Sequence, residues 1–148
     1  MSDERAATPM SDAEIDRFLR EQGTGVLSLA DGDDAYAVPV SFGYETGRAL
    51  FGFYMFGETS RKESYAAATD RACLVVYEVA GRTDWRSVLA AGPLTEVPPE
   101  SWDKVGASIS DNAWTPDLSE MGDRRLPVTG YELTIEEATG RRATSRDS

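Results

Sequence analysis

The sequence contains no histidine. That absence removes a Ser-His-Asp triad, a histidine-ligated zinc and a histidine general base. Cysteine occurs once, at Cys73, which excludes an internal disulfide and a cysteine-rich metal site. Lysine is confined to Lys62 and Lys104. No apolar run approaches the roughly 20 residues that span a bilayer. The opening Met1-Ser2-Asp3-Glu4-Arg5 is charged and lacks the apolar core of a signal peptide, so a cytoplasmic location is expected. No internal repeat is visible. Chemistry must therefore come from carboxylates, Tyr, Arg, Lys, Cys73 or a borrowed cofactor.

What the chain has in quantity is acid. Asp and Glu number 26 against 15 Lys and Arg, for a net charge of −11. The acids are dispersed, from Asp31, Asp33 and Asp34 through Glu96 and Asp111 to Glu136 and Glu137. Phosphate backbones attract basic surfaces, so nucleic acid and anionic membranes are not expected partners. An acid-rich, lysine-poor surface suits a salt-rich cytoplasm, where screening removes self-repulsion, and a halophilic source is expected.

The 148 residues fit one domain. Residues 1–10 read as a flexible polar leader, 11–140 as the domain, and 141–148 as a disordered charged tail. Ser11-Asp12-Ala13-Glu14 is a capping box that opens a helix with Ile15, Phe18 and Leu19 on one face. Gly25 to Ala30 and Ala35 to Tyr44 read as strands joined by the hairpin signal Asp31-Gly32-Asp33-Asp34. Pro39 inside the second strand implies an edge or a bulge. A third strand, Ala49 to Phe56, leads to a short helix from about Ser60 to Thr69. Ala72 to Val79 is the most apolar strand and is expected to be central. Trp85 to Val97 is a long strand, kinked at Gly92-Pro93. Pro98-Pro99-Glu100-Ser101-Trp102 opens a surface helix to about Ile109, and a last strand from Val128 to Ala138 follows. Six strands joined mostly by short turns favour a mainly β architecture, a small antiparallel barrel with peripheral helices.

Three segments are candidates for a site. Ser60-Arg61-Lys62 opens the short helix, where free N–H groups and the helix dipole suit a phosphate. Cations are electrostatically disfavoured at that end unless an anion joins them, although a solvated first turn would also accommodate them. Val38-Pro39-Val40-Ser41-Phe42 leaves backbone groups unpaired that suit the edge of a heterocycle; a plain edge strand is the alternative. In Trp85-Arg86-Ser87-Val88, alternation puts Trp85 and Ser87 on one face, an aromatic beside a donor. A Trp filling the barrel mouth is the alternative there. Cys73 sits in an apolar strand and reads as an inert buried thiol. Gly140-Arg141-Arg142 either reaches a ligand or is solvated.

Taken together, these segments resemble the pyridoxamine 5′-phosphate oxidase-related flavoproteins, from about Glu14 to Arg141. The likeness lies in the order of the pieces: an N-terminal helix, Tyr36-Ala37-Val38-Pro39-Val40-Ser41-Phe42, an aromatic strand, Ser60-Arg61-Lys62, Val75-Val76-Tyr77-Glu78, then Trp85-Arg86-Ser87-Val88. The resemblance implies a six-stranded antiparallel split β-barrel that forms a homodimer with FMN at the subunit interface. It implies that Ser60, Arg61 and Lys62 hold the FMN phosphate. Val40, Ser41 and Phe42 would line the isoalloxazine with Tyr54 and Met55, and Trp85 and Ser87 would contact the flavin from the later strand. The true oxidases carry a longer, basic C-terminal segment that this chain lacks. It looks instead like the shorter relatives, including the nitroimidazole-resistance-type flavoproteins. The expected function is an FMN-dependent oxidoreductase acting on a small redox substrate, with the catalytic residue unassigned. A flavin carrier or sensor without turnover, or a relative that binds deazaflavin F420, are the alternatives. Haem is less favoured, since no histidine is available as an axial ligand.

Overall fold

The computed structural model of the chain describes residues 7–54, 61–98, 100 and 128–143. Its first strand, β1 (Ala7–Pro9), is followed by α1 (Asp12–Glu21). The helix begins as its sequence dictates. The Ser11 hydroxyl accepts from the Glu14 N–H at 3.1 Å, and the Glu14 carboxylate accepts from the Ser11 N–H at 3.0 Å. This reciprocal cap satisfies two N–H groups that the helix leaves free. Ile15, Phe18 and Leu19 form the buried stripe of α1. Glu14 also accepts from Arg142 Nε at 2.9 Å, fastening the helix to the last strand.

The hairpin β2 (Thr24–Asp31) and β3 (Asp34–Ser41) turns through Gly32 and Asp33, in register from Asp31↔Asp34 to Thr24↔Ser41. Gly32 has φ +60, a left-handed conformation that glycine adopts without a Cβ clash and that a tight hairpin turn requires. The short β4 (Gly43–Glu45) pairs with β5 (Arg48–Tyr54). Helix α2 (Arg61–Ala68) leads to β6 (Arg71–Gly81) and β7 (Asp84–Glu96). Strands β8 (Val128–Thr134) and β9 (Glu137–Ala143) complete the described elements. All pairings are antiparallel. The strand order is β3-β2-β6-β7-β8-β5-β4, and β9 joins β7 to β1.

Two expectations about strand position hold. Pro39 lies in β3, at one end of the strand order, where a missing N–H breaks no ladder bond on the outer side. The apolar β6 is interior, flanked by β2 and β7. The Gly92-Pro93 kink is where β7 changes partners. Arg86 to Ala91 pair with β9, whereas Leu94 to Glu96 pair with β8. At this corner the β8–β9 connection crosses close to β7, and a Cβ on Gly92 would lie 1.7 Å from the Thr134 carbonyl oxygen. The largest fully buried side chains are Phe18, Phe42, Phe51, Leu19, Leu27, Leu74, Leu133, Val76 and Val88. They come from α1, β2, β5, β6, β7, β8 and the residue after β3, so a single core underlies the whole sheet.

Other boundaries differ from the sequence reading. The expected strand from Ala35 to Tyr44 is interrupted at Phe42, whose ring points into the core and whose N–H bonds to the Gly23 carbonyl at 2.9 Å. The expected last strand, Val128 to Ala138, is two strands. Ile135 and Glu136 separate them and donate to the carbonyls of Gly47 and Ala91. The described residues therefore hold nine strands rather than six. Pairing also extends past both expected ends of the domain. Ala7 to Pro9 lie in the leader segment and Arg141 to Ala143 in the tail segment, and they pair with each other in β1 and β9. Met10 is buried, and its N–H donates to the Gly140 carbonyl at 2.8 Å. Short polar strands such as these carry no apolar alternation, which is why neither was visible. The body of the expected helix, from residue 101 to about 109, lies outside the described residues.

Candidate functional site

Strands β3, β2, β6, β7 and β9 have two faces. Leu27, Leu29, Val38, Leu74, Val76, Val88 and Ala90 point to the core. Residues directly opposite in an antiparallel ladder share a face, so the pairing fixes what lies on the other side. One row across it is Ala37, Ser28, Cys73, Ala91 and Glu137. The next is Pro39, Val26, Val75, Leu89 and Thr139. A third holds Tyr77, Ser87, Arg141 and Pro9, and a fourth pairs Val79 with Trp85. We refer to this as the outer face.

The outer face is apolar and open. Tyr77 is 60% exposed, Val79 68% and Leu89 49%. The two candidate residues of β7, Trp85 and Ser87, stand on it as their alternation predicts, half-buried, with Val88 fully buried behind them. Trp85 therefore does not fill the barrel interior. Arg86 points the other way. Its guanidinium pairs with Glu78 and lies 4.5 Å from the Phe18 ring centroid. Arg141 is the neighbour of Ser87 in register and is exposed. An aromatic ring, a hydroxyl and a cation thus share adjacent rows, a combination able to hold a flat ring with a polar edge.

The other candidates divide. Val40 pairs with Gly25 and packs against the core side. Ser41 pairs with Thr24 and stands on the opposite face. Phe42 is fully buried, so its ring belongs to the core rather than to a ligand pocket. Tyr54 is the last residue of β5, opposite Val128. Arg61 and Lys62 open α2, as expected, so both occupy the helical turn that carries free N–H groups. Met55 and Ser60 lie outside the described residues. Helix α2 is seated by Tyr65, which stacks on Tyr36 of β3 with ring centroids 4.8 Å apart. Thr69 just after it accepts from the Ala30 N–H at 3.0 Å and donates to the Arg71 carbonyl at 2.9 Å. These contacts fix where the Arg61-Lys62 end begins relative to β2 and β3.

A second polar cluster lies elsewhere, between α1 and the β4–β5 turn. Asp16 accepts from the Tyr44 hydroxyl at 2.8 Å, from Thr46 Oγ1 at 2.9 Å and from Arg20 Nε at 3.1 Å. The Tyr44 hydrogen bond, aided by Arg20 and Thr46, holds the Asp16 carboxyl below its ordinary range. Burial and the Asp16 charge push the Tyr44 hydroxyl up to about 12. Every member is partnered, and the cluster fastens the helix to the turn. Cys73 faces outward, half-buried, and burial pushes its thiol up, which leaves little nucleophilic thiolate.

Residues 11–142 match the family model described as pyridoxamine 5′-phosphate oxidase. The chain belongs to that family. Solved structures share its fold. An FAD-binding protein from Mesorhizobium loti superposes with a TM-score of 0.72 at 24% identity, covering 94% of this chain and 98% of that one. A candidate 5-nitroimidazole antibiotic resistance protein from Bacteroides thetaiotaomicron gives 0.67 at 15% identity, covering 94% and 92%. An FAD and haem binding protein from Mycobacterium smegmatis gives 0.71 at 13%, covering 97% and 77%. No curated protein matches the sequence. The architecture is thus the family's split β-barrel, mainly antiparallel β with few helices. Among the described residues no helix is long and apolar enough to cross a membrane.

The sequence reading missed what surrounds Trp85 and Ser87. The central position of the Ala72 to Val79 strand is as expected, but its end stands open, with Tyr77 and Val79 exposed beside Trp85 and Ser87. The signal was present, because Val75-Val76-Tyr77 is apolar at consecutive positions and a strand with two apolar faces needs a cover on both.

Proposed function

We propose that the protein is a homodimeric FMN-binding oxidoreductase, with the flavin held between two copies. The observation that carries this reading is the start of α2. In a family member of net charge −11, Arg61 and Lys62 sit together at a helix N-terminus directly after the segment that follows β5. The two cations, free backbone N–H groups and the helix dipole fit a phosphate monoester. The outer face fits the rest: Trp85 offers a planar surface, and Ser87 with Arg141 offers polar groups for a heterocycle edge. Its exposed Tyr77, Val79 and Leu89 would be covered by the second copy. An obligate or stable interface has an apolar centre of this kind.

When bound, the flavin supplies the redox chemistry, and the protein binds, orients and electrostatically tunes it. Arg61 and Lys62 bind the phosphate end. Trp85 and Ser87 orient the ring, and the apolar rows around them exclude water from it. An acid-rich surface and the absence of histidine accord with a halophilic cytoplasmic origin and with a flavin rather than haem.

The test is the visible spectrum of the purified protein, followed by FMN titration of the apoprotein. Flavin absorption bands are expected; no bands and no FMN binding would refute the reading, while the absorbance of F420 would replace the cofactor. Arg61→Ala with Lys62→Ala is expected to weaken FMN by roughly 1.5–3 kcal/mol for each charge-assisted hydrogen bond lost. Riboflavin, which lacks the phosphate, should be insensitive to the double substitution. Stopped-flow reduction by NADH or NADPH, followed by an oxidant, separates turnover from simple carriage of flavin.

A further inference from the structure

Among the described residues the acids avoid one surface. Across the four rows of the outer face the only carboxylate is Glu137, at the start of β9, and the only cation is Arg141; the next row, Arg71 with Pro93, forms the rim, where Arg71 pairs with Glu136. Yet Asp and Glu number 26 in the chain. Among the described residues the others lie on α1 (Asp12, Glu14, Asp16, Glu21), on the hairpin tip (Asp31, Asp33, Asp34), on β4 (Glu45), after α2 (Asp70), on the opposite face of β6 (Glu78), at the start and end of β7 (Asp84, Glu96), beyond it (Glu100), on β8 (Glu132) and just before β9 (Glu136). An interface centre is depleted of charge in this way, whereas a solvated sheet face in so acidic a protein has no reason to be. The uncharged rows can pack against themselves, so a second copy of the chain is the occupant that fits.

This distribution has an electrostatic consequence. The contact itself holds almost no charge, so bringing two copies together forms few ion pairs for salt to weaken. What opposes association is the repulsion between two bodies that each carry −11. That repulsion acts over a Debye length, about 10 Å at 0.1 M salt and about 3 Å at 1 M. We propose that assembly of the two-copy protein is switched on by salt: the acid-poor outer face of β3, β2, β6, β7 and β9 supplies the attraction, and ionic strength decides whether the acidic remainder permits it. The proposal rests on the two-copy reading above. It adds the sign of the salt response and its cause. Because Trp85 and Ser87 lie on the same face, a salt-controlled contact would also control completion of the flavin site.

The experiment is fluorescence-detected sedimentation of N-terminally labelled protein over a wide concentration range, in KCl from about 0.1 M to about 1 M. The dimer dissociation constant is expected to fall at least tenfold over that range. Salt also strengthens apolar contacts directly, so a charge-reduced variant is measured beside it. Glu21→Gln, Asp33→Asn, Asp70→Asn and Glu96→Gln are exposed, lie off the outer face and make no ion pair among the described residues. This variant should dimerise more tightly at low salt and respond less to added KCl. A variant that keeps the full salt response overturns the proposal, because the effect is then salting-out alone. A dissociation constant that is unchanged or weaker at high salt overturns it as well, with the dimer itself left standing. A protein that stays monomeric at every salt concentration, indistinguishable from Leu89→Lys, overturns the two-copy reading along with it.

Discussion

Gly92→Ala tests the close approach of the β8–β9 connection to β7 at its corner. The added Cβ would lie 1.7 Å from the Thr134 oxygen, 2.9 Å from the Thr134 carbonyl carbon and 3.1 Å from the Glu136 nitrogen. All three are backbone atoms, so no side-chain rotation relieves the contact. The β8–β9 connection must withdraw by more than an ångström. Doing so stretches the bond from the Glu136 N–H to the Ala91 carbonyl, now 2.9 Å, and the neighbouring Leu94↔Leu133 pair. One such hydrogen bond is worth about 1 kcal/mol. Leu94 is 7% exposed and Leu133 fully buried, and partial loss of their packing adds about 2–3 kcal/mol, since full burial of such a side chain is worth roughly 1.5–3. The expected destabilisation is therefore about 3–4 kcal/mol, a large share of the 5–15 kcal/mol typical of a domain. Urea unfolding followed by tryptophan fluorescence measures it, with the slope checked for two-state behaviour. A loss below about 1 kcal/mol, within the range of ordinary surface substitutions, would refute the close approach described at this corner.

Other substitutions probe the elements that carry the site. Ser11→Ala removes one half of the capping box and should cost about 1 kcal/mol in urea unfolding. Tyr44→Phe removes the hydroxyl that donates to Asp16, and about 1 kcal/mol is expected at neutral pH after allowance for partial exposure. The alkaline limb supplies a signed test. The Tyr44 hydroxyl is raised to about 12 in the fold and lies near 10 when unfolded, so its contribution is complete below pH 10 and is lost as pH rises through 12. Tyr44→Phe should flatten that part of the stability profile. At the acid end, Asp16 is depressed by its Tyr44 bond, and Glu14 by its bond to the Ser11 N–H and by Arg142. Their stabilisation is present above the ordinary carboxylate range near pH 4 and is lost as pH falls through the lower folded values. Asp16→Asn should make stability less steep below pH 4, measured by thermal unfolding across that range.

Much of the fold was legible because local rules and tertiary context agree. Ser11 and Glu14 fix the start of α1, Gly32 permits the hairpin, Pro39 marks the edge strand, and Gly92-Pro93 marks the corner. Legibility failed where structure depends on pairing alone. Ala7-Thr8-Pro9 and Arg141-Arg142-Ala143 have no apolar alternation; the first is a strand only through its pairing with β9, and Arg141 and Arg142 are in a strand through pairing with both β1 and β7. The family resemblance implies that Phe42 lines the isoalloxazine with Val40 and Ser41. Alternation puts Phe42 on the core side with Val38 and Val40, and it is fully buried there, so the residue pattern pointed to the core where the resemblance implied a flavin contact. At the candidate site, the alternation of Trp85 and Ser87 was readable, but their neighbours Tyr77 and Arg141 come from other strands. Only register brings them together.

The union of β1 with β9 bears on how the polypeptide may be rewired. Ala7 stands opposite Ala143 in antiparallel register, so the two ends of the described chain are one strand spacing apart. A short linker could close them into a loop, and the tip at Gly32-Asp33 could then be cut to give new ends. Such a circular permutant would keep every described ladder of the sheet, and the described chain would then begin and end at the tip of the β2–β3 hairpin rather than at Ala7 and Ala143.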